Sequence, residues 1–199
     1  MDPTPDNVVP FPAGSDRSTP LIGRGVEIVT PTAASDPDFL VPFYERATGS
    51  QVLFYDDRRE FVAMFRGGRA VRRVAVNATS GVPLGFALAV PVATIQDLAN
   101  ALRFNRFPAH VRETVVRGGT WALVVAVTPA VPLQGIGRAL ANQALAGIQE
   151  YADAKRLYVT IPSAEPRLCQ RLADEGFSRD GTTVDDRRLL LSHALPHVF

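Results

Sequence analysis

The chain has 199 residues, of which 46% are hydrophobic and 21% are charged, and its formal net charge is +1. This composition predicts one globular domain with a sizeable core, and the near-neutral balance argues against nucleic acid or an anionic membrane as a partner. No apolar run is long enough to span a bilayer. The single cysteine, Cys169, excludes an intrachain disulfide and a cysteine-based zinc cluster, and it indicates a reducing, cytoplasmic compartment.

The first segment of the chain, residues 1–24, is rich in prolines, which oppose both helix and strand. We predict a disordered tail there, without the features of a signal peptide, followed by a single domain over residues 25–199. The domain opens with a strand at Val26–Thr30. A helix follows at Pro37–Thr48, with Asp36 as its N-cap, and its internal Pro42 predicts that it is short or kinked.

The rest of the pattern alternates strands and helices, with hairpins at the flanks. This predicts an α/β fold with a mixed, partly antiparallel central sheet flanked by helices, and with a helical insertion before the central strand. In chain order we expect a helix at Asp56–Phe65, a hairpin of Val71–Val76 and Leu84–Val90, two helical pieces within Ala93–Gly119, the central strand Trp121–Val127, a helix after Gly137, a strand at Leu157–Ile161, a helix ending at Glu175, and two strands within Phe177–Ala194 joined around Asp180-Gly181 and Asp185-Asp186.

The most informative stretch runs from Val124 to Leu140, where an apolar strand enters a loop that closes on glycines before a helix. Glycines at the start of a helix allow close backbone approach to a ligand, and the first-turn N–H groups favour an anion such as a diphosphate. A dinucleotide fold fits poorly, because Leu140 occupies the third small position, the loop is long, and no acidic residue ends the next strand. A P-loop is excluded because no Gly-Lys-Ser/Thr follows.

Two motifs in this half of the chain fit a longer pattern. Val127-Thr128-Pro129 precedes Leu133-Gln134-Gly135-Ile136-Gly137-Arg138-Ala139-Leu140, and later a helix ends in Gly176-Phe177. This resembles the GNAT N-acetyltransferase superfamily, strongly over residues 121–181 and by element order over residues 26–90. In one register Gly135 and Gly137 fill the two glycine positions and Pro132 replaces the usual Arg or Gln. In the other, Gln134 leads and Gly137 and Ala139 complete the motif.

The resemblance implies a site for acetyl-coenzyme A as co-substrate, without a metal. Backbone N–H groups would hold the diphosphate, with Arg138 as a candidate for added charge. The strand end would pair with the pantetheine arm and could polarise the thioester carbonyl. The implied binding residues are Ala126, Val127, Pro132, Leu133, Gln134, Gly135, Ile136, Gly137, Arg138 and Ala139.

The acid and the base of the reaction are harder to place. The position where many family members carry a tyrosine acid is Leu172 in this chain. Ser163 and Cys169 are candidate replacements, against simpler interpretations as a helix cap and a small core residue, and a thiolate can also leave unassisted. Glu113 and His110 are candidate bases, against a solvated helix face.

The implied activity is direct transfer of an acetyl or other short acyl group from coenzyme A to a primary amine, on a small molecule or a peptide. The alternative is a non-catalytic GNAT-like domain that binds acyl-CoA or a protein partner, and a nucleotide-binding regulatory module is a third class. The inserted segment Ala93–Gly119 predicts either a lid over the acceptor site or a homodimer contact.

Overall fold

A computed structural model describes residues 25–48, 55–104, 106–128, 135–182 and 187–196. The predicted tail over residues 1–24 lies outside these ranges. The described strands form one sheet in the order β1-β2-β3-β4-β5-β7-β6, in which only β4 and β5 are parallel neighbours. Their bounds are β1 Val26–Val29, β2 Val71–Asn77, β3 Pro83–Val92, β4 Thr120–Val127, β5 Arg156–Pro162, β6 Ser178–Thr182 and β7 Arg188–Ala194.

The helices follow the predicted order, with two corrections to the predicted local structure. The predicted helix over Pro37–Thr48 splits into a 3-10 turn, Asp38–Leu40, and a separate helix, because Pro42 fits only the first turn of a helix. Asp180-Gly181 does not join the last two strands but lies within β6, where the register shifts. The helices are α1 Val41–Thr48, α2 Tyr55–Arg66, α3 Ile95–Leu102, α4 Ala109–Val116, α5 Ile136–Gln149 and α6 Pro166–Asp174.

The sheet buries a separate apolar cluster on each face, as alternating strand residues require. Side chains from α1 to α4 pack on one face, where Phe61, Phe86 and Leu102 are fully buried. Side chains from α5 and α6 pack on the other face, around Leu140 and Leu157. We call these the α1–α4 face and the α5–α6 face. The inserted segment that holds α3 and α4 therefore contributes buried side chains to the core of this face.

Two fully buried tyrosines on the α1–α4 face differ in whether the hydroxyl has a partner. The Tyr44 hydroxyl donates to the carbonyls of Asn100 and Ala101, at 2.9 and 3.1 Å. The Tyr158 hydroxyl is buried and makes no hydrogen bond of normal geometry within the described ranges. Burial raises the pKa of Tyr158, and Asp180 nearby raises it further.

This difference predicts opposite effects for the same substitution. Tyr44→Phe should lower the free energy of unfolding by about 1 kcal/mol, because two carbonyls lose their donor, whereas Tyr158→Phe should raise it by about 1 kcal/mol. Since burial raises the Tyr158 pKa, the folded wild type loses stability as the pH rises above the unfolded value near 10. The advantage of Tyr158→Phe should therefore grow at alkaline pH. Urea unfolding of both variants measures the two changes in the free energy of unfolding. Changes of the same sign would contradict the prediction.

Candidate functional site: an open strand edge beside a helix N-terminus

Strands β4 and β5 are paired at their beginnings and separate afterwards. The parallel ladder runs from Thr120 opposite Arg156 to Leu123 opposite Val159. Beyond that register β4 continues to Val127 and stays paired with β3, while β5 stays paired with β7. The two central strands thus enclose a wedge, and on its β4 side the main-chain groups beyond Leu123 have no strand partner among the described residues. Such an edge can accept an extended ligand as an added strand.

The main-chain groups of β4 that face this wedge can be identified from the β3 ladder. The Thr128 N–H donates to the Leu84 carbonyl at 2.8 Å. A Cβ at Gly85 would lie 2.5 Å from the Ala126 carbonyl oxygen, so this carbonyl also points toward β3. Because main-chain groups alternate along a strand, Val125 and Val127 direct theirs to the open side. Val125 and Val127 therefore present their main-chain groups to the wedge, whereas Ala126 presents its own to β3.

The N-terminus of α5 lies next to the end of β4. Gly135 is the N-cap, with a φ of 103° that favours glycine, and a Cβ there would have nothing within 4 Å. Ala139 donates to the Gly135 carbonyl at 2.9 Å, so the preceding amides of residues 136–138 have no intrahelical acceptor. A Cβ at Gly137 would contact Val127 at 3.4 Å, which shows how closely the helix approaches the strand. The first turn holds no acidic residue, so its dipole favours an anion.

Arg138 in this first turn has a partner across the wedge. Its Nη2 atom lies 3.4 Å from Oε1 of Glu175, at the C-terminal end of α6, and both side chains are partly exposed. The pair links the first turn of α5 with the C-terminal end of α6. The predicted binding residues Pro132, Leu133 and Gln134 lie outside the part of the chain that the structure describes.

The two candidate acids lie together on the α5–α6 face. Ser163 and Cys169 line one cavity of about 360 Å³ between α6, β6 and β7, with Arg179 at its wall. Ser163 is not the helix cap, because Glu165 occupies that position and the Ser163 N–H donates to the Arg187 carbonyl at 2.8 Å. Cys169 is a free, half-buried thiol packed against the apolar cluster. The side chain of Leu172 is also half-buried against this cluster.

The two candidate bases lie on α4, and the structure separates them. Glu113 points to solvent, with a side chain that is 67% exposed and an i,i+4 partner, Arg117, at 3.9 Å. This solvent-facing position gives the predicted role of Glu113 no support. His110 instead contacts the sheet, where its Nε2 lies 2.9 Å from Oδ1 of Asp180 on β6.

Sequence reasoning missed several residues of this region. Asp180 has the chemistry of a turn residue, because Asp-Gly pairs usually mark turns, and the pattern gave no sign of its contact with α4. Gly85 inside an apolar strand was an available signal of close backbone approach. Nothing in the sequence pairs Arg138 with Glu175.

A second cavity, of about 470 Å³, lies between α2 and α3 near the start of β4, lined by Glu60, Met64, Asp97 and others. Its Glu60 carboxylate is paired with Arg103, and Asp97 caps α3. It lies at the opposite end of β4 from the wedge, since Val90 and Pro91 in its wall pair with Ala122 and Trp121.

Solved structures of N-acetyltransferases share this architecture. A putative acetyltransferase from Acinetobacter baylyi superposes with a TM-score of 0.59 at 18% identity, over 87% of this chain and 94% of that one. A putative acetyltransferase from Salmonella typhimurium with acetyl-CoA gives 0.57 at 15%, over 88% and 96%. Spermidine N-acetyltransferase from Vibrio cholerae, in complex with CoA and spermine, gives 0.56 at 12%, over 87% and 97%. No protein-family model matches the sequence, and no curated protein matches it.

The chain has the GNAT fold, as its motifs predicted. The predicted central strand is β4, and the helix predicted after the glycine turn is α5. None of the described helices has the length and apolarity that a bilayer span demands, and the described residues hold no group of three potential metal ligands.

Proposed function

We propose that this protein is an acyl-CoA-dependent N-acyltransferase that moves an acetyl or short acyl group to a primary amine by direct attack. The observation that carries the proposal is the β4–β5 wedge beside the first-turn amides of α5, which have no intrahelical acceptor. The diphosphate of the coenzyme would accept hydrogen bonds from the amides of residues 136–138, with Arg138 nearby. The geometry fits the group, because Gly135 leaves open space and adds no competing capping oxygen.

The open edge of β4 supplies the second half of the proposed site. Val125 and Val127 would bind the extended pantetheine amides through their main chain, as a neighbouring strand would. Acyl-coenzyme A would supply a thioester, whose carbonyl carbon is the electrophile. A β4 N–H at the start of the wedge would polarise the thioester carbonyl and stabilise the oxyanion. Ser163 and Cys169 remain candidate proton donors to the thiolate, which can also leave without one.

A second candidate function is binding of acyl-CoA without catalysis. It is favoured by Leu172, which places an apolar, half-buried side chain where a tyrosine acid is common in the family. This alternative retains the coenzyme site and lacks only turnover.

Calorimetry with acetyl-CoA, CoA and NAD tests both candidates. We expect both coenzyme A species to bind and NAD not to bind. Failure of both to bind at millimolar concentration would overturn both functions. Turnover with a panel of amines, monitored by the release of free thiol, separates the transferase from the non-catalytic binder. A complete lack of turnover with intact coenzyme binding would favour the non-catalytic binder.

The Arg138–Glu175 pair gives a specific expectation. Glu175→Gln should strengthen CoA binding by up to about fivefold, because an exposed ion pair is worth at most about 1 kcal/mol and its removal frees the guanidinium for the diphosphate. The gain should shrink at high salt. Asp174→Asn is the matched control, since it removes a neighbouring charge that is paired with Gln170 instead. Equal affinities for the two variants, measured by calorimetry, would contradict this role for Arg138.

A further inference from the structure

The inserted helix α4 holds an imidazole against a buried carboxylate. Nε2 of His110 lies 2.9 Å from Oδ1 of Asp180, and the side chains are 57% and 9% exposed. An ionised carboxylate only accepts hydrogen bonds, so Nε2 carries the proton and Nδ1 keeps its lone pair. A base oriented by a second group in this way is the arrangement that proton abstraction requires.

This pair lies at the same level of the sheet as the start of the wedge. Asp180 lies between Arg179, which pairs with Leu191, and Gly181, which pairs with Leu190. Leu191 and Leu190 in turn pair with Val159 and Thr160 of β5. Val159 is the last β5 residue that pairs with β4. The main chain of Asp180 is therefore two strand spacings, about 10 Å, from β5, the nearer of the two strands that border the wedge.

The pair also lies on the α1–α4 face of the sheet, opposite the face that carries α5. The helix α5, with the proposed diphosphate site, covers the α5–α6 face. Val111 and Val115 of α4 are buried in the cluster of the α1–α4 face, and Pro108 contacts the β6 bulge at Gly181. The contact between α4 and β6 is therefore on the sheet face opposite the proposed diphosphate site.

A second observation concerns the hydrogen bonds of the Asp180 carboxylate. Its Oδ2 atom is buried and has no hydrogen-bond partner within the described ranges, and the same is true of the nearby Tyr158 hydroxyl. Buried polar atoms without partners are rare and destabilising. Proteins tolerate such groups most often at functional or strained sites.

We propose that His110 is the general base of the acyl transfer and that Asp180 is its positioning residue. The inference rests on the proposed function. The bound alkylammonium gives one proton to Nδ1 of His110, directly or through one water, and this frees the nitrogen lone pair. The lone pair attacks the thioester carbonyl carbon and forms the C–N bond, and the C–S bond breaks so that the thiolate leaves with the electron pair. The nitrogen loses its second proton to the thiolate, and the imidazolium, stabilised by Asp180, returns its proton to solvent.

The test compares two acceptors with acetyl-CoA as donor. Ethylamine is protonated near neutral pH and needs a base, whereas hydroxylamine is already neutral. His110→Gln should lower kcat/KM for ethylamine by about a hundredfold, the usual contribution of a general base, and leave that for hydroxylamine within about threefold. Asp180→Asn should lose about tenfold with ethylamine, as expected for the loss of a group that orients a catalytic histidine. Free imidazole should partly restore the ethylamine rate of His110→Ala.

The matched control is His193→Gln, on the other face of the sheet, where His193 stacks on Phe177. It should change neither rate. Equal losses with both acceptors, an unaffected His110→Gln, or a selective ethylamine loss in Glu113→Gln would overturn the assignment. Groups that also titrate or carry charge near the pair are Tyr158 and Arg156 on β5 and Glu113 on α4.

Acetyl-CoA binding by calorimetry is the separate readout. Wild-type protein that does not bind acetyl-CoA contradicts the proposed function itself. Variants that bind it normally show that any change in rate comes from the role of His110 in proton transfer rather than from a damaged coenzyme site.

Discussion

Gly135→Ala should weaken acetyl-CoA binding by about tenfold to a hundredfold. The residue has a φ of 103°, where an alanine is strained by about 1–2 kcal/mol. The strain is relieved by rotation of the peptide units that open α5, and this turns the amides of residues 136–138 away from a shared anion. Loss of one charge-assisted hydrogen bond costs about 1.5–3 kcal/mol, which corresponds to that range of affinity. Calorimetry measures it directly.

The control for this prediction is Gly25→Ala, which has the same kind of strain far from the site. Gly25 has a φ of 95°, and a Cβ there would also have nothing within 4 Å. Both variants should lose similar stability in urea unfolding, and only Gly135→Ala should lose affinity. An equal affinity in the two variants would mean that the first turn of α5 does not bind the coenzyme.

The second large effect concerns the start of β4. Gly118 and Gly119 are adjacent and have nearly equal φ values, 75° and 77°. A Cβ at Gly119 would lie 2.4 Å from the Asp153 carbonyl oxygen, whereas one at Gly118 would have open space. Gly118→Ala should cost about 1–2 kcal/mol from backbone strain. Gly119→Ala should cost about 1–3 kcal/mol more, because a backbone carbonyl must move.

The two substitutions separate a steric clash from backbone strain, because Gly118 and Gly119 have nearly the same φ and only a Cβ at Gly119 would clash. Gly119 also accepts from the Lys155 and Arg156 amides, at 2.8 and 3.1 Å, so its displacement disturbs the parallel β4–β5 junction. Urea unfolding of both variants gives the difference in the free energy of unfolding. Equal values would show that the junction yields easily, and the wedge would then be too loosely held to serve as a preformed coenzyme site.

Much of the fold could be predicted because its signals are local. Prolines, glycines and the two periodicities place α2, α5, β3 and β4 to within a few residues. The errors arise where local chemistry fits two structures. Asp180-Gly181 suits a turn and also a bulge within β6, and only the pairing with β7 decides between them. Ser163 has cap chemistry, but the ladder with β7 extends to its N–H.

The candidate site was predictable only in part for a related reason. Gly135 and Gly137 mark the helix entrance because glycine has a distinctive conformational role. The wedge has no side-chain signature, since it is made of main-chain groups that lack a neighbour. The contacts of Arg138 with Glu175 and of His110 with Asp180 join residues far apart in sequence, so no local sequence pattern predicts them.

A crystal structure with bound CoA is the most direct test of the central claim, that the β4–β5 wedge and the first turn of α5 form one coenzyme site. We expect diphosphate oxygens within hydrogen-bond distance of the amides of residues 136–138, pantetheine paired with Val125 and Val127, and the sulfur where β4 and β5 separate. Coenzyme bound elsewhere, as in the cavity between α2 and α3, with the wedge filled by the protein's own side chains, would contradict it.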